Sequence, residues 1–131
     1  MKTYAVHLRM NGKYLGCSPV PVPGQTGDDA YPVYSDRDEA GGWEAATLHV
    51  ADDGKSAVAV FNDANRVLSI AKRNDGPALQ SRANHATPPD FGGWELQFCA
   101  SLPMQDDKHG VLCRFDDDGS ALALMEIEVV Q

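Results

Sequence analysis

Gly41-Gly42-Trp43-Glu44 returns as Gly92-Gly93-Trp94-Glu95, 51 residues further along the chain. With that phase set, the apolar triplets Val6-His7-Leu8, Val58-Ala59-Val60 and Val111-Leu112-Cys113 fall into step. So do Leu15, Leu68 and Leu122, each placed after a polar turn: Asn11-Gly12-Lys13, Asn62-Asp63-Ala64-Asn65 and Asp117-Asp118-Gly119. A strand, a tight turn and a second strand, recurring at a period of about 50, read as a β-repeat architecture. No stretch of helical length carries a helical apolar period, and Gly and Pro interrupt most candidates.

The 131 residues suit a single domain, 1–131, with copies at about 1–52, 53–104 and 105–131. In the first copy, Val6, Leu8 and Met10 alternate with His7 and Arg9, and Asn11-Gly12 is a strong hairpin signal because both residues tolerate positive φ. Pro19, Pro21 and Pro23 keep residues 18–30 out of a ladder; a strand from Ala30 to Ser35 is expected next, and one from the Trp43 motif to Val50. In the second copy, Ser56 to Phe61 is expected to pair with Arg66 to Lys72, followed by Ala78 to Arg82, a loop over 83–91, and a strand with Trp94, Leu96 and Phe98 inward. The third copy stops short of another Gly-Gly-Trp-Glu. Met125-Glu126-Ile127-Glu128-Val129 repeats the inward-outward pattern of the second closing strand, so this copy reads as one that has lost its middle hairpin. The rival reading, an incomplete lobe, leaves an apolar edge for a second subunit to cover and makes a homo-oligomer.

Val6-His7-Leu8-Arg9-Met10-Asn11-Gly12-Lys13-Tyr14-Leu15, with Trp43-Glu44 and Trp94-Glu95 near the closing strands, resembles the fascin-like branch of the β-trefoil superfamily. The resemblance implies an all-β, β-trefoil-like fold with two full repeats and a shortened third. It also implies a binding module, since members of that fold are mostly binders; it carries over no binding residue, because the matched positions build core and turns. The ricin-type lectin branch fits less well, for want of a Gln-x-Trp.

Acidic residues outnumber basic ones, 19 to 11, and the net charge of −8 repels a phosphate backbone, so nucleic acid is not an expected partner. The acidity is read first as a means of solubility, and second as a mimic of nucleic acid or a face for a basic partner. The amino end has no continuous apolar segment of the secretory kind and no run reaches membrane length, so a soluble, cytoplasmic protein without membrane contact is expected. Cys17 aligns with Ile70 and Leu124, and Cys113 with Leu8 and Val60, which makes both expected buried thiols; Cys99 aligns with nothing.

Trp43 and Trp94, recurring at the head of an inward stripe, are expected in the core. Tyr31, Tyr34 and Phe91, beside the long loops, are the better candidates for stacking against a ligand. The polar loops offer Asp28 and Asp29 on one side and Asn84, His85 and Asp90 on the other as hydrogen-bond partners for hydroxyls. No metal is expected. Aligning Gly119 with the glycine of a calcium hand puts Arg114 and Met125 where acidic ligands belong, and His7, His49, His85 and His109 lack ligand spacing. No nucleophile motif, phosphate loop or Cys-His constellation appears, so neither an enzyme nor a cofactor is expected. The leading expectation is a non-catalytic module that recognises carbohydrate or another polar ligand through these loops. The alternative is a protein-protein interaction or inhibitor module whose Pro-rich loop enters a basic partner.

Overall fold

Asn11 and Gly12 take positive φ, 53° and 78°, so the chain reverses within two residues and β1 (Lys2–Met10) pairs antiparallel with β2 (Lys13–Cys17). A Cβ on Gly12 would meet no atom within 4 Å, which leaves only the backbone cost of a left-handed L-residue. Gly12→Ala is therefore expected to lower stability by about 1 kcal/mol, read from the urea midpoint at unchanged slope.

The structure is a computed structural model and describes residues 2–73, 76–86, 89, 91, 95–98, 109–115 and 121–130. After β2 come a 3-10 turn at Gly27–Ala30, β3 (Val33–Arg37), a second 3-10 turn at Gly42–Glu44, and β4 (Ala46–Val50). The expected strand from Ala30 thus begins three residues late. The second hairpin unit is β5 (Ser56–Phe61), β6 (Arg66–Arg73), β7 (Gly76–Ala83) and β8 (Leu96–Phe98); β9 (His109–Phe115) and β10 (Ala121–Val129) follow. Gly92, Gly93 and Trp94, the Asp117-Asp118-Gly119 turn, Asp90 and Cys99 lie outside the described residues.

Six strands close a barrel: β1 pairs with β4, β4 with β5, β5 with β8, β8 with β9, β9 with β10, and β10 with β1. Closure removes the edges that an open sheet would leave unpaired. Outside this ring, β2 and β3 hang from β1, and β6 and β7 from β5. Val6, Leu8, Leu15, Leu48, Phe61, Leu68, Leu96, Leu112, Met125 and Ile127 fill the main core and are almost wholly buried. No helix among the described residues is long and apolar enough to cross a membrane.

Several expected inward positions are corrected. The triplets are one residue out of phase: Ala57, Ala59 and Phe61 join Val6 and Leu8 in the main core, while Val58 and Val60 form a second cluster with Val67, against which Phe91 packs. Pairing shows why. Met10 opposes Lys13 and Phe61 opposes Arg66, so the second turn, 62–65, is two residues longer than the first, and the offset is 51 before the turn and 53 after it. A one-residue slip in a strand turns every side chain to the other face. On β10 the inward residues are Ala123, Met125 and Ile127, which leaves Leu124 54% exposed rather than aligned with Cys17. Cys17 is the buried free thiol expected, its pKa raised by burial, but Cys113 is disulfide-bonded.

Candidate functional site

The Gly41–Glu44 turn closes on itself. The Glu44 amide donates to the Gly41 carbonyl (3.3 Å), and the Gly41 amide donates back to Glu44 Oε1 (2.8 Å). The second carboxylate oxygen of Glu44 accepts a short hydrogen bond from the Tyr34 hydroxyl on β3. Glu44 is therefore the buried member of the motif, and the indole before it turns outward: Trp43 is 40% exposed, which corrects the expectation that it packs in the core.

Beside the indole runs an open groove of about 500 Å³, lined by Tyr34, Arg37, Glu39, residues 40–42, Glu44 and Asp63. Two neighbouring units build it. Tyr34, Arg37 and the Trp43 turn come from the first copy, and Asp63 comes from the long turn between β5 and β6. A Cβ on Gly42 would lie 3.2 Å from Asp63 Oδ2, so the absence of a side chain there lets the carboxylate reach the groove. Arg37 lies over the Tyr34 ring (5.1 Å to the centroid) and beside Asp36 (3.7 Å). Burial first, and then Glu44, push the Tyr34 phenol above its ordinary value. The neutral phenol is favoured in the folded state, so its contribution to stability is intact below about pH 10 and is lost as pH rises beyond that. Ultraviolet titration should show a tyrosine component ionising above the usual range, and Tyr34→Phe should remove it.

The expected site residues divide between this groove and other surfaces. Tyr34 is in the groove. Asp28 and Asp29 line a separate hollow of about 200 Å³ with Pro32, Leu79, Gln80 and Arg82. Asp28 there accepts from Arg82 Nη1 (2.6 Å) and from Arg66, and the guanidiniums of Arg82 and Arg66 hold its carboxyl below the usual range. Tyr31 packs against the core with Arg66 over its ring (4.6 Å to the centroid), and its carbonyl accepts from Ser81 Oγ (2.5 Å). Asn84 donates to Asn65 Oδ1 (3.1 Å), His85 is exposed, and Asp90 is outside the described residues.

Trp43, Arg37, Glu39 and Asp63 were not expected together. Strand alternation does not place Trp43, because it sits in the 3-10 turn Gly42–Glu44 ahead of β4. Asp63 carries no signal either, because it reads as an ordinary turn residue. Among the described residues no group of three His, Cys, Asp or Glu side chains is placed to hold a metal ion. Compared with known proteins, the chain matches no family model and no curated protein, so its groove is read from its own residues.

Proposed function

We propose that this chain is a non-catalytic carbohydrate-binding module that uses the Trp43 groove, on a frame that is a fascin-like β-trefoil with a shortened third copy. For the frame, the support is the connectivity. The first two copies each insert a hairpin between two barrel strands, whereas β9 and β10 pair directly, from Phe115 with Ala121 to His109 with Glu128. The single long strand β10 takes both the hairpin's place and that of the closing strand.

The observation that carries the function is the half-exposed indole over a groove flanked by Arg37, Glu39 and Asp63. An indole face suits the C–H face of a pyranose, and planar charged groups around it suit ring hydroxyls. The groove volume falls within the range of about 300–1,000 Å³ usual for small-ligand sites. A glycan array followed by calorimetry tests the reading. Trp43→Ala should weaken binding at least about tenfold while leaving stability within about 0.5 kcal/mol, since little packing is lost at an exposed site. Absence of binding to every sugar class, or a variant that binds like the parent, would overturn it.

A second reading has its own support. In the Ser18–Pro23 loop, Val20 is 62% exposed and Val22 39%, an apolar tip that suits a protein partner. Association through this loop with a basic partner would weaken sharply with salt in a pull-down, whereas neutral-sugar binding would not.

A further inference from the structure

We propose, resting on the carbohydrate reading above, that the Trp43 groove selects cationic saccharides: oligomers of amino sugars bearing free, protonated amines. The site is the groove and its indole; the carboxylates decide which sugar it prefers. Three of them line it, Glu39, Glu44 and Asp63, against one guanidinium, Arg37. Their roles differ. Glu44 is buried and committed to Tyr34 and the Gly41 amide. Arg37 is shared between the Tyr34 ring and Asp36, which offsets its charge. Glu39 and Asp63 are exposed and, among the described residues, have no hydrogen-bond or ion-pair partner. They line the groove together with the indole face, Asp63 reaching it over Gly42. A ring stacked on Trp43 would thus carry its amine among carboxylates with uncommitted acceptors. An ammonium gains from them, and from the aromatic face, what a hydroxyl or an acetamide does not. A uronic acid would meet like charge, and the chain's net charge of −8 works in the same direction.

Calorimetry on the full chain with length-matched oligomers of glucosamine, N-acetylglucosamine and glucose, plus an oligolysine, tests this. The glucosamine oligomer should bind roughly tenfold more tightly than the two neutral ones, as two partly screened ion pairs allow. That advantage should disappear at high salt, at a pH that strips the amine proton, and in the Glu39→Gln/Asp63→Asn double variant, whose affinity for the glucosamine oligomer should fall to that for the neutral ones. Equal affinity for amino and neutral sugars would overturn the selectivity and leave the carbohydrate reading standing. No binding of any sugar would remove both. Oligolysine binding as tight as the glucosamine oligomer's and unaffected by Trp43→Ala would show charge acting alone, and would also overturn the proposal.

Discussion

Asp28→Ala is expected to lower stability by about 2–3 kcal/mol, far more than a half-exposed aspartate in a loop ordinarily would. The reason is Arg66. Arg66 is 8% exposed, and its guanidinium reaches Ser81 Oγ (2.9 Å) and the Ser81 carbonyl (3.1 Å), covers the Tyr31 ring, and has the Asp28 carboxylate as its counter-charge. Removing one member of a buried pair leaves the other charge uncompensated, at about 3–5 kcal/mol; Asp28 itself is 38% exposed, so water replaces part of what is lost and the figure is reduced. Arg82 would lose the same partner, but it is exposed enough to be solvated. Urea unfolding should show Asp29→Ala, an exposed neighbour, within about 0.5 kcal/mol of the parent. Adding Arg66→Met to Asp28→Ala should recover much of the loss by removing the stranded charge. If Asp28→Ala behaves like Asp29→Ala, the clamp between the 18–30 loop and the β6–β7 hairpin contributes nothing. The pH dependence has a defined sign. Asp28 titrates lower in the folded chain, so its contribution is present above about pH 4 and is lost as pH falls through the depressed value.

The second large effect is at Gly16. Its φ is unremarkable, and what it supplies is space. It pairs across the strands with Tyr34, and a Cβ there would come within 3.0 Å of the Tyr34 hydroxyl and ring and of Glu44 Oε2. Those groups are tied to each other and to the Gly41 amide, so they cannot yield independently. Gly16→Ala should lower stability by about 2 kcal/mol, as overpacked cores do, and should also weaken ligand binding, because Tyr34 and Glu44 are groove walls. In a Tyr34→Ala background the same change should cost much less, since the ring it would strike is gone and only Glu44 Oε2 remains in the way; the cycle should show a coupling above about 1 kcal/mol. Additive losses would mean that the close approach is not what keeps glycine at this position.

The residue pattern was enough for an all-β chain, for the Asn11-Gly12 hairpin, for the pairing of β5 with β6, and for the inward Met125 and Ile127. In each of these places alternation or turn chemistry is local. It was not enough where both faces are buried. Ala57 to Phe61 is buried throughout, so hydropathy carries no parity there, and the face was settled by the length of the turn that follows. Nor could a repeated motif tell why it repeats. Gly41-Gly42-Trp43-Glu44 reads as an indole headed for the core, yet it is the glutamate that is held inside, because Tyr34 on β3, ten residues earlier in the chain, supplies its hydrogen bond while Gly16 makes room for both. The groove likewise joins a turn near residue 43 to a turn near residue 63. Such proximity depends on which strands meet around the barrel, and barrel closure is a property of the whole set of pairings rather than of any one segment.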